Sequence, residues 1–288
     1  MEYIRKDFAS VEEVCAAPFV NERNKAMSAR KTLTPDGRWV NLGGQDSMKW
    51  LGAPTPRMAA ERVTKGWPEG ARRVMALMEE MSAPQPMNLR RKVQRADQGD
   101  ELDVHSVYRG ELSTAWTRRR RQHARSRLNV RLVAQVNLLG RTSFESLFWR
   151  GAAIVKVATL LEEAGYGVEI VGAVASNRVD GRDASFVATF PLKEAGAPLD
   201  VENLAGVVCN AGFHRLFGFR LYEALATWVR ESAGGDYDHS ETSGKLLNEA
   251  GLDVDGTKTF RVPYEVGTLW QAEKWVAETL QALDAEAS

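Results

Sequence analysis

The residues whose types and spacing best suit chemistry are arginines. Arg118, Arg119, Arg120, Arg121, Arg125, Arg127 and Arg131 put seven guanidinium groups into fourteen residues, with no acid among them. Trp116 precedes the run and His123 sits inside it. The 288-residue chain carries 38 Lys+Arg against 38 Asp+Glu, so the run is a local positive field in a chain of zero formal charge. Such a field attracts phosphate backbones. Guanidinium planes and the Trp116 indole can also stack on bases, which suits single strands or RNA. The expected nucleic-acid contacts are therefore Trp116, Arg118, Arg119, Arg120, Arg121, Arg125 and Arg127. The opposing reading is a solvated connector whose arginines pair with the acidic stretches at 97–103 and 111.

Other chemistry is harder to find. Asp236, Asp238, His239 and Glu241 crowd into a glycine-bounded loop, which solubility explains better than metal binding. No His-x₃-His, paired Cys or EF-hand register accompanies them. His214, beside Arg215, is expected on the polar side of an amphipathic helix, as a surface group or a packing hydrogen-bonder. Gly-x-Ser-x-Gly and a Gly-x₄-Gly-Lys-Ser/Thr phosphate loop are both absent. Cys209 lies in the apolar run Gly206-Val207-Val208-Cys209 and reads as a small core residue. No catalytic constellation results, so the expectation is a non-enzyme without metal or cofactor.

Composition sets the class. Hydrophobic residues at 44% and charged residues at 26% describe a soluble folded chain. They exclude a disordered charged tail, a collagen-like chain and a small disulfide scaffold. Two distant cysteines, Cys15 and Cys209, favour a reducing cytosol. The N-terminus MEYIRKDFASVEEV lacks the apolar core of a signal peptide, and no long apolar run predicts a membrane span. A cytoplasmic location is expected.

The elements that must position these residues fall into three stretches. Residues 1–86 are predicted to be mostly helical, with short elements joined by loops over 1–55. Thr55-Pro56 reads as an N-cap with proline at the first helical position. Val74, Leu77, Met78 and Met81 form a stripe on a helix starting at Pro68. The Met residues on that stripe suit a binding groove or, more simply, core packing. Residues 87–127 form a charged connecting segment, beginning after the breaker pair Pro84-Gln85-Pro86, with a short helix within Leu102 to Leu112 that ends at Gly110.

Residues 128–288 form an α/β domain. Val130, Leu132, Ala134, Val136 and Leu138 alternate along a strand, with Val133 apolar on the other face. Thr142 to Glu145 reads as a capping box in which the Thr142 hydroxyl bonds the Glu145 amide. It opens a helix over Ser143 to Ala164, closed by Gly165. A strand over Val168 to Ala175 completes a βαβ unit, and a short loop forces an antiparallel hairpin to a strand over Ala184 to Phe190. Asp200 caps a helix expected to break near Gly212, and Phe213 to Trp228 recurs at helical spacing. Phe260, Val262, Tyr264 and Val266 alternate as a strand in which Pro263 implies an edge or bulge. A final helix buries Leu269, Ala272, Val276, Leu280 and Leu283.

This order of elements resembles the von Willebrand factor A-like (vWA) branch of the Rossmann-like folds, in which an antiparallel edge strand follows the first βαβ unit. The resemblance implies a Rossmannoid sheet flanked by helices, with ligands at the C-terminal strand ends. It also implies a divalent metal on an Asp-x-Ser-x-Ser loop after the first strand. Here that stretch is Asn137-Leu138-Leu139-Gly140-Arg141-Thr142-Ser143, with Asn for Asp, no Ser-x-Ser and a cation at Arg141. A hard cation wants anionic oxygens, so the metal chemistry does not carry over.

Several phrases also resemble a family of uncharacterised bacteriophage and bacterial proteins. They are Trp67-Pro68-Glu69-Gly70, Gly99-Asp100-Glu101-Leu102-Asp103-Val104, Trp149-Arg150-Gly151-Ala152-Ala153 and Leu161-Glu162-Glu163-Ala164-Gly165-Tyr166. The resemblance implies a phage setting, with the host cytoplasm as location. The expectation that results is a phage-type accessory protein binding nucleic acid through the arginine segment. Its alternative is a protein-binding adaptor or assembly component, using the vWA-like top face or the 68–81 helix.

Overall fold

The alternation of Val130, Leu132 and Ala134 builds the centre of the protein. All three are fully buried, and so is Val133 on the opposite face, as in a sheet covered on both sides. In the computed structural model the described residues are 2–16, 52–82, 93–96, 98, 101–111, 113, 115–119, 129–138, 142–179, 182–218, 221, 252, 256–263 and 266–287. In chain order the elements are β1 (Glu2–Asp7), α1 (Val11–Ala16), α2 (Pro56–Thr64), α3 (Pro68–Glu80), β2 (Val93–Ala96), β3 (Glu101–Leu102), α4 (Val104–Tyr108) and β4 (Trp116–Arg119). There follow β5 (Asn129–Gln135), α5 (Phe144–Glu163), β6 (Gly167–Val179), β7 (Arg182–Lys193), α6 (Val201–Leu204), β8 (Thr257–Val262) and α7 (Leu269–Ala287). Two wide π-type turns, Ala205–Cys209 and Phe213–Gly218, come between α6 and β8.

The main sheet has the order β1-β7-β6-β5-β8. β5 runs parallel to β6 and to β8, with Leu132 opposite both Ile170 and Phe260. β6 turns back antiparallel into β7, with Ala173 opposite Thr189. The sheet is therefore mixed and flanked by helices, an α/β architecture containing the βαβ unit and hairpin read from the sequence. β8 is an edge strand that stops at Val262, so Pro263 falls just outside the ladder that its missing N–H could not join. β1 was not anticipated. It pairs in parallel with β7, Ile4 opposite Phe186, and the ladder continues as the Phe8 amide donates to the Thr189 carbonyl at 2.8 Å.

Helices cover one face of this sheet. Thr55 caps α2, its hydroxyl accepting from the Met58 amide at 3.1 Å, with Pro56 in the first turn. On α3 Val74 is buried, as is Met81 just past its end, and Leu77 and Met78 pack against the same core, so the stripe is packing surface. Phe8, Val11, Val14 and Val63 join that core too, together with α5 and α7.

The start of α5 differs from the expected capping box. Ser143 is the cap, accepting from the Ser146 amide at 3.2 Å, while the Glu145 carboxylate pairs with Arg73 on α3. A cation on a neighbouring helix outcompetes the neutral amide of the cap. At the other end Gly165, with φ +87°, allows the Tyr166 amide to reach the Leu161 carbonyl and the Gly165 amide to reach that of Glu162. This pair of bonds is a Schellman closure.

Asp200 caps α6 through the Asn203 amide at 2.9 Å. The chain breaks at Asn210, whose side chain donates to the Ala59 carbonyl at 2.8 Å and accepts from the Gly212 amide at 3.1 Å. Gly206 sits so close to α2 that a Cβ there would collide with the Arg62 carbonyl oxygen. Among the described residues no helix is long and apolar enough to cross a membrane.

Candidate nucleic-acid interface

A second, three-stranded sheet of order β2-β4-β3 carries the start of the arginine run. β4 is its central strand and pairs antiparallel with both neighbours. Trp116 stands opposite Ala96 and Leu102, and Thr117 opposite Arg95 and Glu101. Arg118 stands opposite Gln94, and Arg119 opposite Val93. Three of the seven expected contact residues, Trp116, Arg118 and Arg119, thus share one strand, with the Trp116 side chain half-buried. Arg120, Arg121, Arg125 and Arg127 lie outside the described residues, as does His123.

Arg131, the seventh arginine of the run, belongs to the main sheet instead. It stands directly opposite Glu169 in the β5–β6 ladder. Its Nε donates to Glu169 Oε2 at 2.8 Å and its Nη2 to Oε1 at 3.3 Å, while Nη1 donates to the Leu252 carbonyl at 3.0 Å. A fork bound to one carboxylate and one carbonyl is a structural clamp. Counting arginines along the sequence cannot separate it from the rest, because its partner is 38 residues away.

Of the acids that the opposing reading would pair with the run, Asp97 and Asp100 lie outside the described residues. The Asp103 carboxylate accepts from the Ser106 hydroxyl at 2.9 Å, and Glu111 pairs with Arg109 at 3.3 Å.

A second polar group gathers at the C-terminal end of β5, where the strand order switches between β6 and β8. The Asn137 side chain donates to the Ala175 carbonyl at 2.7 Å and accepts from the Ala175 amide at 2.8 Å. Its amide thus extends the β5–β6 ladder beyond the end of β5. Arg150, 1% exposed on α5, donates from Nη1 to the Gln135 carbonyl at 3.1 Å. The Gln135 side-chain Nε2 is buried without a hydrogen-bond partner. Burial pushes the neighbouring Cys209 thiol up to about 12, with the Arg150 charge opposing to a smaller extent. Cys209 is a protonated core residue, as its apolar context implies.

His214 and Arg215 depart from expectation, for both are buried. A regular helical period would put both on the polar side, whereas the wide turn Phe213–Gly218 buries all six of its residues. Desolvation draws the Arg215 guanidinium down to about 10. The acidic loop Asp236, Asp238, His239 and Glu241 lies outside the described residues. Among the described residues no three His, Cys, Asp or Glu side chains gather as metal ligands.

Fold and site together define an α/β protein with a helix-flanked mixed sheet and a smaller sheet whose central strand leads into a basic segment. The chain belongs to the DUF7192 family, a domain of unknown function, whose family model matches residues 3–262. The match runs from β1 to the last residue of β8 and so takes in both sheets. No curated protein and no solved structure matches the chain.

Proposed function

We propose that the protein binds nucleic acid through the segment that starts on β4, with Trp116, Arg118, Arg119, Arg120, Arg121, Arg125 and Arg127 as the contacting residues. The observation that carries this reading is the arginine run itself, free of acids and beginning on the central strand of a sheet. A paired strand holds its backbone in place, so the first guanidinium groups and Trp116 start from a fixed base, which lowers the entropy lost when a ligand binds. Loss of Arg131 to its clamp leaves six arginines for contact, enough for a strong counterion-release effect.

In this reading the protein is a non-enzymatic, phage-type accessory protein acting in the host cytoplasm, and the main sheet is a vWA-like scaffold. The order β7-β6-β5-β8 with β7 antiparallel supports that scaffold. At Asn137, where the vWA family carries its metal-binding acid, the side chain holds Ala175 of β6 instead. The adaptor alternative loses support at the 68–81 helix, whose apolar stripe is spent on the core.

The test is an anisotropy titration of a labelled oligonucleotide with the wild type and with a variant carrying Ala at Arg118, Arg119, Arg120 and Arg121. At low salt the variant is expected to bind at least about tenfold more weakly. Equal affinity of the two proteins removes the proposal.

A further inference from the structure

Seven large apolar side chains stand exposed among the described residues, and three of them lie at 102, 104 and 108. Leu102 is 45% exposed, Val104 53% and Tyr108 87%. Val104 and Tyr108 are four apart on α4, so they share one face of the turn. The scaffold beneath is tied down. Ser106 is fully buried, with its hydroxyl on the Asp103 carboxylate and its amide on the Asp103 carbonyl at 3.1 Å. The Asp103 amide donates to the Ala115 carbonyl at 2.7 Å, and the Glu111 amide returns to the Ser106 carbonyl at 2.9 Å. These exposed apolar residues are thus carried on ordered backbone, and apolar side chains left in water on a fixed scaffold suit a contact site.

Charge says what the occupant is. Leu102 faces Trp116 across the β3–β4 ladder, and Trp116 leads directly into Arg118, Arg119 and the basic residues that follow. The partner must therefore offer flat apolar groups beside a repeating negative charge. Single-stranded nucleic acid does both, because its unpaired bases expose their faces to aromatic side chains. In a duplex those faces are stacked on one another and only backbone and groove edges remain.

We propose that Tyr108, with Leu102, Val104 and Trp116, contacts unpaired bases while the arginine run holds the backbone, making single-stranded nucleic acid the ligand. This rests on the arginine reading above and adds a residue, Tyr108, outside the basic run.

The experiment titrates the full chain with a thymidine 20-mer and with a 20-base-pair duplex. It compares wild type, Y108A, Y108F and the variant with four arginines replaced. Y108A is expected to lose about 5- to 150-fold in affinity for the single strand, with its salt dependence and its duplex affinity unchanged. Y108F is expected to bind like the wild type. Single-strand affinity unchanged in Y108A, with binding abolished by the arginine replacements, overturns the base-contact proposal and leaves the arginine reading standing. An equal loss on both ligands in Y108A also overturns it. Failure of the wild type to bind either ligand sinks both.

Discussion

At Asn137 a side-chain amide does what a backbone peptide would do. It pairs with both polar groups of Ala175 just past the point where β5 and β6 stop pairing residue by residue. N137A removes both of these buried hydrogen bonds and is expected to cost about 1–3 kcal/mol in urea unfolding. N137D still accepts from the Ala175 amide but cannot donate to the Ala175 carbonyl, so it too is expected to unfold at lower urea. Wild-type stability in both variants would show that the clip contributes nothing.

Cys209 makes a prediction of the opposite kind, visible only at high pH. Its thiol ordinarily ionises near 9.0, and burial raises this to about 12 in the folded state. Between those values the unfolded chain binds fewer protons than the folded one, so rising pH removes stability, at up to about 1.4 kcal/mol per pH unit. The difference in unfolding free energy between wild type and C209A is expected to shrink as pH rises from 9 to 10.5, and parallel curves would contradict it. Cys209 was legible in the sequence because an apolar run announces burial. Arg131, His214 and Arg215 were not, because the direction a charged side chain takes depends on Glu169 in one case and on a departure from helical period in the others.

Among the elements, β5, α5, β6 and β7 were readable because each carries its own local signal: alternation, a cap, a closing glycine or a short turn. β1 had none of these. Its sequence EYIRKD is mostly charged, as suits an edge strand, and its partner β7 lies about 180 residues away along the chain. The small sheet escaped for a similar reason, since β2 and β3 are only four and two residues long and gain meaning only from pairing with β4. In the proposed reading the boundary between the two sheets also divides the arginine run by role. R131A removes the clamp that joins β5 to β6 and is expected to cost about 1.5–3 kcal/mol of stability. Its affinity for an oligonucleotide, and the salt dependence of that affinity, are expected to match the wild type. A loss of binding equal to that of an Arg118 to Arg121 variant would place Arg131 in the interface instead.

On the scale of the whole molecule, the larger core of the described residues takes side chains from Phe8 through α7, while the basic segment follows the central strand of a separate, smaller sheet. Removing arginines from that sheet's central strand and the segment after it should change recognition and leave the core intact. The central claim is that these guanidinium groups displace counterions from a polyanion. Its most direct measurement is the slope of log affinity against log salt for a single-stranded oligonucleotide. With four phosphate contacts removed, Ala at Arg118, Arg119, Arg120 and Arg121 is expected to make that slope shallower by about 3 while the unfolding midpoint stays near that of the wild type. A slope identical to the wild type, in a variant that folds normally, would contradict the account.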